Sequence, residues 1–287
     1  MSAALGARDW LAATRPRTLT AALVPVTLGL ALAHRAGPLD LALAVATLVT
    51  ALLIQVATNF ANDWFDARHG ADGPDRLGPA RLSAQSAAAA TAIGQGTVVV
   101  MAAAAVAGLY LVWHGGWPIL AVGVVSLVCA VAYTGGPFPL AYHGLGDVFV
   151  LVFFGPVAVG GTYLLQRGTL PASVLLASIP VGLLATAILM VNNLRDVDGD
   201  ARAGKRTLAV RFGRRATRAG WIGVVATALV LALVAVGWPA LLAVPFAARE
   251  TRALLARDGR ALDASLAGTA RLHLIMGLIL VLGSMTT

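Results

Sequence analysis

Apolar residues run along this chain in long blocks rather than in alternation with polar ones. A helix needs about 20 mostly apolar residues to cross a hydrocarbon core about 30 Å thick. Nine blocks approach or reach that length: 18–36, 41–65, 86–112, 117–134, 146–165, 172–195, 219–237, 239–255 and 265–285. The eighth is the weakest, being short and opening on Trp238-Pro239. The period-two pattern of a transmembrane barrel is absent, and a helical bundle is then the way to satisfy the backbone in lipid. The pattern predicts an all-α, polytopic membrane bundle of nine transmembrane helices, forming a single domain over 1–287.

Composition agrees with that reading. Hydrophobic residues make up 59% of the chain and charged residues 12%, about half the charged fraction of a soluble domain. Disorder, collagen and a disulfide scaffold are excluded by the same balance. The 21 Lys and Arg against 13 Asp and Glu leave a formal charge of +8. With the N-terminus in the cytoplasm and the C-terminus outside, every cation except Arg35 and Arg167 falls on the cytoplasmic side, as the positive-inside rule requires. That asymmetry explains the basic excess without nucleic acid, for which no basic solvent-facing helix or aromatic platform exists. The sequence Arg15-Pro16-Arg17 followed by an apolar run and Ala31-Leu32-Ala33 also imitates a signal peptide, but Pro25 interrupts the run. The single Cys129 lies in an apolar block, with no partner for a disulfide or a metal site.

The acidic residues are not spread evenly. Asp63, Asp66, Asp72 and Asp75 follow the second block, Asp147 opens the fifth, and Asp196, Asp198 and Asp200 end the sixth. Carboxylates near lipid are costly unless they face a cavity or a cation, so each is a functional candidate. At 100° per residue, Gln55, Asn59, Asn62, Asp63 and Asp66 share one helix face. Asn192, Asp196 and Asp200 repeat every four residues and share another for as long as the helix persists, while Asp198 points away. Gly199 and Gly204 are candidate stop signals there.

Carboxylate and amide oxygens without Cys or His on the same faces describe a hard-cation site. Magnesium binds through one or two carboxylates together with phosphate oxygens. Basic residues stand beside each acidic group: Arg68, Arg76 and Arg81 after the first, Lys205 and Arg206 after the second. Acid for Mg²⁺ and base for phosphate, supplied twice on one side of a membrane, is the composition needed to hold a diphosphate. Lys205 is the sole lysine, a compact point charge where the chain otherwise uses arginine. The run from Arg211 to Arg218 fits topology and anionic-lipid attraction.

These motifs resemble those of the UbiA superfamily of intramembrane prenyltransferases. Asn59-xxx-Asp63-xx-Asp66, containing Asn62-Asp63, looks like its NDxxD element, and Asp196-xxx-Asp200 continuing to Gly204-Lys205-Arg206-Thr207 looks like its DxxxD element. Within the superfamily the chain is most similar to the branch that prenylates 1,4-dihydroxy-2-naphthoate. Arg15-Pro16-Arg17-Thr18-Leu19, Arg76-Leu-Gly78-Pro79-Ala-Arg81, Tyr133-Thr-Gly-Gly136-Pro137, Gly144-Leu-Gly146-Asp147 and Thr269-Ala-Arg271-Leu-His273 carry that likeness along nearly the whole chain. Two departures stand out. The third acidic position of the longer NDxxDxxxD pattern is Gly70, so Asp72 serves or the role is missing. The loop after the fourth block, often basic in related enzymes, has only His143.

The resemblance implies transfer of a prenyl group from a polyprenyl diphosphate to an aromatic acceptor, with loss of CO₂ from the naphthoate. It implies Mg²⁺ held by Asn59, Asp63, Asp66, Asp196 and Asp200. The substrate-binding set is Arg17, Asn59, Asn62, Arg76, Arg81, Asn192, Asn193, Lys205 and Arg206, with Tyr133 and Tyr163 shielding an allylic cation. Tyr163 is equally readable as an interfacial anchor. Asp147 either orients the acceptor hydroxyl or caps the fifth helix. The implied setting is a bacterial cytoplasmic membrane, with the site facing the cytoplasm. Another acceptor, such as 4-hydroxybenzoate, chlorophyllide, haem or a phosphoribose, is an alternative. A secondary transporter is a further one, although transporter sites tend toward the midplane.

Overall fold

The structure, a computed structural model, describes residues 5–70, 77–78 and 81–286, apart from the side chains of Arg17 and Thr286. Its helices are α1 (Ala7–Ala13), α2 (Pro16–Ala36), α3 (Leu41–Arg68), α4 (Ala87–Ala132), α5 (Gly146–Val152), α6 (Ala158–Arg167), α7 (Ala172–Arg202), α8 (Leu208–Val236), α9 (Val244–Ala256) and α10 (Leu262–Thr286). A π-helical segment, Phe153–Val157, joins α5 to α6 around Pro156. No strand occurs among the described residues. Seven helices are long and apolar enough to cross a membrane, and the chain is an integral membrane protein.

The 46 residues of α4 would make a rod of about 69 Å if straight, far more than one bilayer. The helix breaks at Gly116, whose φ of 63° and ψ of −153° suit a residue without Cβ. Packing shows that the chain turns back there. Ile93 clusters with Phe60 near the end of α3, Leu111 and Ile119 both pack on Leu43 near its start, and the hydroxyl of Thr134 donates to Asn62 at 2.8 Å. The stretch from Trp238 to Ala256 behaves similarly beside α8, first as a 3-10 turn over Trp238–Ala243. Arg218 of α8 donates to the carbonyls of Leu254 at 3.3 Å and Arg257 at 2.6 Å, so the chain has returned to the end from which α8 set out.

Two features differ from the sequence expectation. α7 does not stop at Gly199 but continues to Arg202, and the turn closes when the Lys205 amide reaches back to the Asp200 carbonyl at 2.9 Å over Gly204. A glycine inside a helix costs about 1 kcal/mol against alanine, too little to end one whose other residues are packed. α1 was not expected; its seven residues are too few to read by period.

α7 is the central helix, burying Val181, Leu184, Val191 and Leu194 against Trp221, Val225 and Ala228 of α8 and Leu272, Met276 and Leu280 of α10. The outer faces of α4 carry exposed Val98, Val106, Leu109 and Trp113, the surface expected of a helix that meets lipid rather than water. Hairpin pairing of α3 with α4 and of α7 with α8 leaves the C-terminal ends of α3 and α7 at the same end of the bundle. At the opposite end Arg167 donates to the carbonyls of Ala33 at 2.9 Å and Pro38 at 2.6 Å, and Asp40 exchanges hydrogen bonds with Gln166. Arg167→Met should therefore lower unfolding stability by roughly 1–3 kcal/mol while leaving activity in place. An unchanged thermal midpoint would show that this clasp contributes nothing.

Candidate active site

The last turns of α3 and α7 meet through one ammonium group. Asp66, only 2% exposed, faces the Lys205 Nζ at 3.0 Å and the Arg81 guanidinium at 2.8 Å, with the Tyr142 hydroxyl 3.4 Å away. The same Nζ lies 3.6 Å from Asp200 and 5.1 Å from the centre of the Tyr142 ring. Lys205 thus bridges a carboxylate of each acidic motif, and its charge also suits the C-terminal end of α7. The 140–145 segment that brings Tyr142 here is fastened by the Arg206 amide on the Tyr142 carbonyl at 2.9 Å. Gly144 permits this approach, since its φ is +74° and a Cβ there would stand 2.7 Å from the Arg206 carbonyl. Arg211 donates to the His143 carbonyl at 2.8 Å, so the loop that lacks its own arginine is held by one from α8.

The other residues of the first motif have separate tasks. Both oxygens of Asp63 accept backbone amides, those of Leu82 at 3.2 Å and Ser83 at 2.9 Å. Those bonds tie the segment carrying Arg81 to α3. Asn59 donates to the Thr14 carbonyl at 2.9 Å and the Thr18 hydroxyl at 3.1 Å, fixing the α1–α2 turn. At that turn Arg15 has a φ of 50°, an uncommon conformation for a residue with a Cβ.

In the second motif Asp196 is gripped by its neighbour. Arg195 donates to both Asp196 oxygens at 2.8 and 2.6 Å, to Asn192 at 2.9 Å and to Asp263 of α10 at 2.7 Å. Asp198 points away, as its register predicts, and pairs with Arg214 at 2.7 Å.

Above these groups lies a cavity of about 570 Å³. Its polar end is lined by Arg15, Asn59, Asn62, Asp66, Arg81 and Tyr133 from one side, and by Asn192, Asn193, Asp196, Asp200 and Lys205 from the other. The rest of the wall is mostly apolar, including Leu109, Ile119, Leu120, Val124, Phe149 and Phe153, with a few threonines among them. The structure thus brings together most of the residues expected from sequence. Four lie off the wall. Asp63 serves the Arg81 segment, and Tyr163 is packed in the core between α2 and α7. Arg206 is exposed. Asp147 is buried behind the wall, its Oδ1 without a hydrogen-bond partner among the described residues. Asp72, Arg76 and the Arg17 side chain lie outside the described residues.

Among the described residues no three carboxylate, imidazole or thiolate groups gather closely enough to enclose a metal. Single carboxylates and amide oxygens facing a cavity are the donor set of a cation that completes its shell with water and phosphate oxygen, which matches Mg²⁺. Sequence reasoning missed four members of the site. Arg15 was visible beside Arg17 but not distinguished from it. Arg195 stood next to Asp196. Tyr142 and Asp263 carried no local signal, because their partners are remote in the chain.

The model of the UbiA prenyltransferase family matches residues 22–259. The chain belongs to the UbiA prenyltransferase family. Relatives of this UbiA-family chain include the 1,4-dihydroxy-2-naphthoate octaprenyltransferases of Escherichia coli K12, 36% identical over 96% of this chain and 94% of that one, and Mycobacterium tuberculosis H37Rv, 37% identical over 94% of each. That of Haemophilus influenzae Rd is 40% identical over 71% of this chain and 69% of its own. Among solved structures, the apo UbiA homolog from Aeropyrum pernix K1 superposes with a TM-score of 0.69 at 17% identity, covering 92% of this chain and 97% of that one. A UbiA homolog from Archaeoglobus fulgidus bound to DMAPP and Mg²⁺ gives 0.63 at 14% identity, covering 97% and 99%. Both share the fold.

The bridging ammonium is the part of the UbiA-family site most open to test. Lys205→Met leaves Asp66 and Asp200 facing one another with one cation fewer, and breaking a buried pair from one side costs about 3–5 kcal/mol. The thermal midpoint of the metal-free variant should fall, and Mg²⁺ should recover more of it than in the wild type. Equal Mg²⁺ responses in the two proteins would contradict the bridge.

Proposed function

We propose that this protein transfers a polyprenyl group from polyprenyl diphosphate to 1,4-dihydroxy-2-naphthoate, releasing diphosphate and CO₂ and giving demethylmenaquinol. The observation that carries the reading is the meeting of two acidic motifs and three cations at the polar end of a cavity that is otherwise mostly apolar. The naphthoate acceptor is supported by the names of the relatives from Escherichia coli and Mycobacterium tuberculosis, each covering nearly the full chain.

Asp66, Asp196 and Asp200, with the Asn59 amide oxygen, are the groups that would hold Mg²⁺, and Asp63 acts through the Arg81 segment. When bound, Mg²⁺ neutralises charge developing on the leaving diphosphate. Lys205, Arg81 and Arg15 bind diphosphate oxygens, and Asn62, Asn192 and Asn193 supply neutral polar contacts. Arg17, Arg76 and Arg206 attract the anion at the rim, and Asp72 is a further oxygen donor from the same connection. The Tyr133 ring faces the allylic cation formed on ionisation, which the electron-rich acceptor ring then attacks before its carboxylate leaves as CO₂. Tyr163 packs in the core and Asp147 lies off the cavity wall, so neither is given a part in binding the diphosphate.

The apolar part of the cavity receives the prenyl tail, where each CH₂ withdrawn from water contributes about 0.8 kcal/mol. Leu109 and Val124 line the cavity while exposing 63% and 51% of their surface, which supports a lateral opening to lipid along α4. The reversal at Gly116 and the return of Trp238–Ala256 support nine crossings of a single domain. The N-terminus and the acidic end face the cytoplasm of a bacterial inner membrane, and the C-terminus lies outside, with Arg35 and Arg167 the cations of the far end.

The test uses the purified protein in lipid nanodiscs with an octaprenyl diphosphate, Mg²⁺ and either 1,4-dihydroxy-2-naphthoate or 4-hydroxybenzoate. Prenylated naphthoquinol, diphosphate and CO₂ should appear with the naphthoate alone, and EDTA or Asp66→Ala should abolish them. Product from 4-hydroxybenzoate but not from the naphthoate would overturn the acceptor assignment, and full activity under EDTA would overturn the metal.

A further inference from the structure

The second acidic motif is wired to the last helix of the bundle. Arg195 is almost wholly buried, its side chain 3% exposed, and it spends four hydrogen bonds on three partners: Asp196, Asn192 and Asp263. A buried guanidinium held by Asp196 alone would form a neutral pair and remove that carboxylate's charge from the cavity. Asp263, in the first turn of α10, supplies a second carboxylate to the same guanidinium at 2.7 Å. One cation shared by two anions leaves the group with a net charge of −1, on the side where Asp196 lines the cavity.

We infer that Asp263 is a positioning residue that keeps Asp196 effective as a ligand for a divalent cation by balancing the charge of Arg195. The inference rests on the reading of Asp196 as one of the metal-holding carboxylates. Asp263 does not line the cavity, and it acts through Arg195. Because its side chain is 43% exposed, replacing it strands no buried charge, and an asparagine oxygen at the same place still accepts from Arg195. Asp263→Asn thus removes the charge while keeping the contact.

The probe is Mn²⁺, titrated by electron paramagnetic resonance into the full-length protein in nanodiscs with inorganic diphosphate, without acceptor. Removing an outer-shell partner of a metal ligand typically costs about 10–100-fold in affinity, and Asp263→Asn should weaken Mn²⁺ by at least the lower figure. Asp263→Glu should restore it, and the thermal midpoint of the metal-free variants should stay near wild type. In turnover, the Mg²⁺ concentration for half-maximal rate should rise while KM for the acceptor holds. Unchanged Mn²⁺ affinity in Asp263→Asn overturns the inference, as does a loss that tracks a falling midpoint and is not repaired by glutamate. Failure of the naphthoate reading appears separately, as absent product with wild-type enzyme, because the titration contains no acceptor.

Discussion

Everything at the acidic end of this bundle depends on holding carboxylates and cations together where hydrocarbon begins. Asp66, Asp200, Lys205 and Arg81 are all largely withdrawn from water, and none could be ionised there alone without a cost of several kcal/mol. Lys205 resolves this by standing between the ends of α3 and α7. The two helices approach not through apolar packing at that level but through a shared cation. Below it, apolar contacts take over, and α7 packs against α8 and α10 while another of its faces lines the cavity.

The two hairpins follow from the same requirement. A carboxylate at the end of α3 can meet one at the end of α7 only if both helices run in the same direction. The chain therefore needs an odd number of crossings between them, and the reversal at Gly116 makes it three, the two halves of α4 and the α5–α6 span, instead of two. Had α4 continued straight, Thr134 could not reach Asn62 and the loop bearing Tyr142 would lie at the opposite end. Helix ends that carry charge thereby converge, while the exposed faces of α4 remain suited to lipid.

Much of this was legible in the chain, for identifiable reasons. The apolar blocks located the helices because crossing lipid demands length and uniform hydropathy, and the four-residue repeat of Asn192, Asp196 and Asp200 stayed valid because α7 persists past Gly199. The convergence of the two motifs was readable from one-sided charge. What could not be read was how each carboxylate spends its oxygens. Asp63 and Asp66 share a helix face, yet Asp63 is taken up by the amides of Leu82 and Ser83 and Asp66 meets the cavity. That division is made by a segment some 20 residues further along, which no helical period encodes. Asp263 is a sharper case, since it joins the site from 68 residues away.

Asp196 and the Asp66–Asp200 pair are held by different cations, and the difference has a physical meaning. Asp196 receives two parallel N–H bonds from a planar guanidinium, a geometry that fixes the carboxylate's orientation as well as its charge. Asp66 and Asp200 share a compact ammonium on a flexible stem, at 3.0 and 3.6 Å, and although Asp66 also accepts from Arg81 at 2.8 Å, neither carboxylate is gripped through both oxygens by one planar group. An ammonium can turn from carboxylate to phosphate oxygen by rotating its own side chain, whereas a bidentate guanidinium must break two bonds together. The sole lysine thus stands where a cation can turn between partners, and an arginine stands where a carboxylate's orientation is fixed.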